Sequence, residues 1–240
     1  MKGFAYSRPW VLINNKPSYG VDGLIVTSLP PITKPAMRYN SEEIDGRDGD
    51  IITTLGYQAY DKTVSIGLHG GFDIDKVIEF FATSGTVTFS NEPDKTYRFQ
   101  QLDSIDFERL VRYRTADIKL HVQPFKTGRL QRPKVFDGSD AQAVVTNAGN
   151  VSAAPKLTIK ANGDVGLWLD GKQILSVTQS GGYTLVIDVA ALEASTPEGA
   201  LMNRHITGDY ARMMLSPGKH TIKWSGTVHS LTIEDYSRWI

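Results

Sequence analysis

The chain has 240 residues, room for one large domain or two ordinary ones, and two is the better fit. Lys+Arg and Asp+Glu each number 26, and the balance holds on both sides of residue 129, 16 against 16 and then 10 against 10. Neither half carries the surplus of cations by which a protein grips nucleic acid through its phosphates, and the absence of cysteine excludes disulfides, thiolate metal sites and cysteine nucleophiles.

In chain order, Met1 to Trp10 lacks the apolar run of a signal peptide. Nowhere do about 18 apolar residues run together as a spanning helix needs, so the chain reads as one made and folded in a cytoplasm. From Leu29 to Asp50 the pattern breaks into Pro30-Pro31, Pro35 and a run rich in Gly and Asp, which predicts a long irregular arm or loop. Structureless segments of about 20 residues are uncommon inside a compact domain and usually bind or wrap something. Val64, Ile66 and Leu68 alternate with Thr63, Ser65 and Gly67, and Ala116, Ile118, Leu120 and Val122 with Asp117, Lys119 and His121, which predicts two half-buried strands. Between them, Ile74, Val77, Ile78 and Phe81 fall at helical spacing behind an Asp73 cap, with Gly85 as the expected left-handed stop. Arg109, Arg112 and Arg114 interleave with Asp106, Glu108 and Asp117 and read as a solvated strand face.

Lys126 to Pro133 is polar and holds Gly and Pro, the composition of a linker, and places a boundary near residue 130, with one domain over 1–130 and a second over 131–240. Beyond it, Leu157 and Ile159 predict one strand, and Val165, Leu167 and Leu169 another that ends at the hairpin dipeptide Asp170-Gly171. Leu185 and Ile187, Ile222 and Trp224, and Leu231 and Ile233 add further strands. An antiparallel β-sandwich is the natural product. Val189 to Tyr210 is ambiguous, with Ala190 to Ala194 favouring a helical turn before Pro197 and Gly199.

Motifs for chemistry are missing where they would be looked for. The five histidines, His69, His121, His205, His220 and His229, never fall at metal-binding helical spacing. Asp45, Asp48 and Asp50 invite a calcium reading, yet a loop counted from Asp45 has Arg47, Gly49 and Gly56 at positions 3, 5 and 12, so a tight Asx-type turn explains the run better. Nucleophile elbows and phosphate-cradling glycine loops are absent. Trp168 is out of phase with Leu167 and Leu169, so it points to the opposite face of its strand and is the candidate for glycan contact.

The ordered set Ile44-Asp45-Gly46-Arg47-Asp48-Gly49-Asp50, then Leu55-Gly56-Tyr57, a short helix, Thr88 to Tyr97, a strand closing in Gln123-Pro124-Phe125 and a terminal Tyr236-Ser237-Arg238-Trp239-Ile240 resembles the distal tail proteins of long-tailed, non-contractile bacteriophages. The resemblance also touches Leu201, Asn203, Arg204, Thr207, Gly208, Asp209, Tyr210, Gly218, Trp224 and Gly226. It implies a mainly β protein: an N-terminal β-barrel-like domain with one helix and an arm over about 25–50, and a C-terminal galectin-like sandwich. It further implies a non-enzymatic hub without cofactor or metal. Six copies would form a ring at the virion tail tip, assembled in the host cytoplasm, joining the tail-tube protein to tail-associated and receptor-binding baseplate proteins. The ring would leave a channel for DNA, with neither specific nucleic-acid binding nor membrane insertion. Ile44 to Asp50 would then belong to the subunit-interface arm. Two other readings stand beside it: a carbohydrate-binding or host-receptor-binding accessory of the virion, resting on Trp168 and the sandwich, and an enzyme, for which no motif speaks.

Overall fold

The computed structural model describes residues 8–140 and 142–240. Met1 to Ser7, read above for a signal peptide, lies outside the described residues. No helix among the described residues is long and apolar enough to cross a membrane. The chain is mainly β and divides into two compact units, one running to Arg129 and including Ile240, the other from Leu130 to Trp239.

The first unit contains β1 (Val11–Ile13), β2 (Lys16–Pro17), β3 (Leu24–Ser28), β4 (Met37–Glu43), β5 (Asp50–Tyr57), β6 (Tyr60–Leu68), α1 (Ile74–Phe81), β7 (Gly85–Phe89), β8 (Lys95–Gln100), α2 (Phe107–Tyr113) and β9 (Thr115–Gly128). Its main sheet is antiparallel, in the order β2-β1-β7-β8-β9-β6-β3. The alternation in β6 and β9 does what period two requires: Val64 pairs with Ile118 and both are buried, while Thr63 and Lys119 pair on the exposed face.

Helix α1 begins where Asp73 accepts hydrogen bonds from the amides of Asp75 and Lys76, and it buries Val77, Phe80 and Phe81. Burial of such side chains stabilises by roughly 1.5–3 kcal/mol each. Its end differs from expectation: the cap is Ala82, and Gly85, at φ 140°, opens β7 instead. A second correction concerns the arginine-rich stretch, which is the helix α2 and not a strand face. Asp106 accepts from the Arg109 amide, Leu110 is the residue buried, and Arg114 closes the helix in the left-handed region at φ 61°.

The second unit contains β10 (Lys134–Asp137), β11 (Ala143–Asn147), β12 (Lys156–Leu169), β13 (Lys172–Val177), β14 (Gly182–Asp188), β15 (Glu193–Ser195), β16 (Ile206–Gly208), β17 (Gly218–Glu234) and β18 (Arg238–Trp239). The segments around Leu157 and Leu167, read as separate strands, are one 14-residue strand. Likewise Ile222 and Ile233 lie on one 17-residue strand. The register between β12 and β17 slips between Asn162 and Gly166, and the slip changes β12's other neighbour, β14 before it and β13 after it. Leu157, Ile159, Leu167, Leu185, Ile187, Ile222, Leu231 and Ile233 fill one buried core. Asp170 and Gly171 form the β12–β13 turn with φ 49° and 83°.

The expected helical turn at Ala190 to Ala194 is also corrected. Asp188 accepts hydrogen bonds from the amides of Ala190 and Ala191 (2.9 and 3.0 Å), an Asx turn that competes with helix, and the chain resumes as β15.

Candidate functional site: an exposed hairpin and its root

Among the described residues, strands β4 and β5 pair only with each other, from Met37↔Tyr57 to Glu43↔Asp50, with a bulge at Leu55. The prolines do break the chain as expected, but only through residue 36; Ile51, Ile52, Thr53 and Thr54 then favour a strand, and β4 supplies its partner. Every residue from 36 to 56 is exposed. Because opposite residues share a face, Met37, Tyr39, Ile52 and Tyr57 line one side of the ribbon, while Ile51 lies with Arg38 and Glu42 on the other. Tyr39 and Ile52 are each 58% exposed. A two-stranded hairpin alone is marginal in water, and this one presents large apolar side chains as well.

Ile44 to Asp50, the run singled out in the sequence, forms the tip. The Arg47 amide donates to the Ile44 carbonyl at 3.1 Å, Gly46 and Gly49 take positive φ, and the Ser41 hydroxyl donates to the Asp50 carboxylate. The run thus forms a turn, in which Asp50 is the aspartate that accepts a side-chain bond. No group of three or more His, Cys, Asp or Glu suited to a metal ion is present among the described residues.

Residues 29–36 tie this hairpin to the main sheet, and here the structure adds what the sequence reading missed. Pro30 and Pro35 are buried. The Asn91 side-chain amide donates to the Pro30 carbonyl at 2.9 Å, the Lys62 ammonium to the Pro31 carbonyl at 2.8 Å, and the Gln58 backbone N–H to the Ala36 carbonyl at 2.8 Å. Lys62 is only 3% exposed and lies over the rings of Tyr97, Tyr60 and Phe89 at 5.0, 5.5 and 5.7 Å. Burial pushes its ammonium pKa down, and the charge on Glu92 partly opposes that. Glu92 itself is bound by Lys126 at 2.9 Å and by the Tyr97 hydroxyl, whose pKa burial and Glu92 together raise. A signal for Lys62 did exist, since it shares the inward phase of Val64, Ile66 and Leu68.

The histidines are dispersed. His121 holds Asp61 at 2.8 Å; that bond, then Lys119, keeps the Asp61 carboxyl below its ordinary value. His205 bonds the Thr178 carbonyl at 3.1 Å, and His69 and His229 are exposed.

Ser216, His220 and Asp170 meet in the order of a nucleophilic triad, with His220 Nδ1 2.7 Å from the Asp170 carboxylate and Nε2 3.2 Å from the Ser216 hydroxyl. However, Nε2 lies nearer to the Ser216 carbonyl, at 2.8 Å. These contacts tie the β12–β13 turn to the start of β17.

Trp168, the glycan candidate, is half-buried, and the tip of its indole lies over Gly166, where a Cβ would come within 2.5 Å of the ring. Its cross-strand neighbours are Gln173 and Lys223. Trp224 packs against the core of the same unit.

Of the C-terminal residues, Tyr236 to Trp239 fall in the second unit and Ile240 in the first. The buried Ser237 hydroxyl donates to the Thr146 carbonyl at 3.1 Å and accepts from the Ala148 amide at 3.0 Å, and the Arg238 amide donates to the Asn147 side chain at 3.3 Å. Burial lowers the pKa of the Arg238 guanidinium. Asn203 and Asp209 of the terminal signature are structural as well: Asn203 accepts from the Ala194 amide and the Tyr210 hydroxyl, and Asp209 caps the turn that follows it.

A scan against protein-family models finds no match, and a search of curated proteins finds none either. Among solved structures, the chain is similar to the SPP1 Dit (gp 19.1) protein, described as a paradigm of the hub adsorption apparatus in phages that infect Gram-positive bacteria. The match has a TM-score of 0.63 at 16% sequence identity and covers 98% of this chain and 100% of that one. The two-unit β chain described above therefore carries the fold of a phage distal tail protein.

Proposed function

We propose that this chain is a structural hub of a phage tail tip, working by assembly and without a catalytic centre. Six copies close into a ring around a channel for DNA, joining the tail-tube protein to the tail-associated and receptor-binding proteins of the baseplate. The first domain, to about residue 130, builds the ring, and the second is carried on it. Ile44 to Asp50, with the strands that flank them, engage the neighbouring subunit.

The observation that carries this reading is the hairpin. Met37, Tyr39, Ile51, Ile52 and Leu55 are exposed on a ribbon that, among the described residues, pairs only with itself, and apolar surface of this kind marks a place where another surface belongs. A contact between an arm and a different patch on the next copy is heterologous, and such contacts form a ring when the rotation closes. Charge balance within the first 129 residues fits a lining that lets DNA pass without holding it. The test is assembly of the purified chain with residues 37–57 replaced by a short glycine-serine linker. The expected product folds and stays monomeric; a ring with the same number of subunits as the parent would contradict the reading.

A second reading, a carbohydrate-binding or host-receptor-binding accessory, draws on Trp168 alone. A ring laid over a glycine beside Gln173 and Lys223 has the makings of a sugar platform. Saccharide binding by the whole chain that disappears in Trp168→Ala would support it, and no binding across a glycan array would remove it.

A further inference from the structure

We infer that Lys62 and Asn91 form a clamp that fixes the direction in which the hairpin leaves the main sheet, so that the arm is presented in its docking pose before any neighbour arrives. The inference deepens the assembly reading and rests on it.

A buried lysine is expensive. An ammonium removed from water is retained only where close partners replace its hydration. At Lys62 the nearby carboxylate, Glu92, already serves Lys126 and the Tyr97 hydroxyl. The hydrogen-bond acceptor that Lys62 does take is the Pro31 carbonyl, 31 positions away in sequence. One residue earlier, the Pro30 carbonyl is taken by Asn91. Proline carbonyls suit this use, because the ring fixes φ and the residue has no N–H to compete for. The buried side chains of Pro30 and Pro35 seat either end of the same short segment, and the Gln58 bond to Ala36 closes the hairpin base.

Two consecutive carbonyls held by two donors from β6 and the β7–β8 loop determine position and direction together, which one contact could not. The three rings around the ammonium help hold the lysine side chain itself in place, with Tyr97, Tyr60 and Phe89 at 5.0, 5.5 and 5.7 Å. Lys62 is thus a positioning residue for the arm. The gain is in ordering: an arm already held pays less entropy when it docks than one that must be captured from a wide swing.

The test uses the full chain, whose lack of cysteine lets a single reporter be placed cleanly by Asp48→Cys at the hairpin tip. Lys62→Met keeps a long apolar side chain among the rings and removes the donor; Asn91→Ala removes the second donor and leaves the buried cluster untouched. Fluorescence anisotropy decay of a dye at position 48, at concentrations where the protein is monomeric, should show a wider and faster swing in each variant and the widest in the pair. With Asp48 restored and no dye, assembly should require about tenfold higher concentration in the double variant than in the parent, with its melting temperature still above the assay temperature. If Lys62→Met fails to fold, Asn91→Ala alone decides. Anisotropy decays that match the parent would overturn the clamp. A wider swing with unimpaired assembly would leave the clamp standing and count instead against the hairpin as the assembly arm.

Discussion

A Cβ added at Gly208 would lie 2.1 Å from the Ile174 carbonyl oxygen, at a backbone φ of 127°. Gly208→Ala should therefore push β16 off β13 and cost about 2 kcal/mol or more, from strain and lost pairing together. Thermal unfolding of the second unit is the readout, with a fall of several degrees expected. Asp170 makes a second prediction. Its burial alone would raise the carboxyl pKa, but the Thr221 amide and the His220 ring more than offset this and hold it below the ordinary 3.8. A depressed folded value gives stability that is present above 3.8 and is lost as pH falls through the folded value. Asp170→Asn, which tolerates the positive φ of that turn, should thus flatten the acid limb of the second unit's stability below that pH. Legibility at this scale followed chemistry. Asp170-Gly171 was readable as a turn because two residues with positive φ have few alternatives, whereas Ser237 and His220 make bonds to partners far along the chain.

Among the elements, the α1 face was legible because four apolar residues at helical spacing follow a capping Asp, and Phe81→Asp should unfold the first unit, seen as loss of its cooperative melting transition. Helix α2 was not. Its seven residues bury only Leu110, and three arginines interleaved with acids carry no periodicity that separates a short exposed helix from an exposed strand. The hairpin failed for a related reason: proline and glycine announce an interruption without saying how soon a strand restarts, and β4 is exposed along its whole length, so no buried face marks it. Because that ribbon buries little against its own sheet, Tyr39→Ser with Ile52→Ser should leave the melting temperature within about 2 °C, surface changes costing under about 0.5 kcal/mol each. The same pair should weaken self-assembly at least tenfold by light scattering. Arg47→Ala with Asp48→Ala at the tip should likewise fold normally and assemble poorly; unfolding of the monomer would show that the tip is an internal turn and nothing more.

For the whole molecule, the order of motifs carried more than any one of them: at 16% identity over 98% of the chain, the likeness to the SPP1 protein lies in architecture. β9 ends at Gly128, β10 begins at Lys134, and Leu130 between them is 82% exposed, so brief trypsin treatment of the intact chain should cut first near Arg129. The proposed closure into a ring is tested most directly by native mass spectrometry of the purified chain across a range of concentrations. The expected species is six times the 26.5 kDa chain, with no larger species growing in as concentration rises. A stable dimer, or a monomer that persists even with the tail-tube protein present, would contradict it.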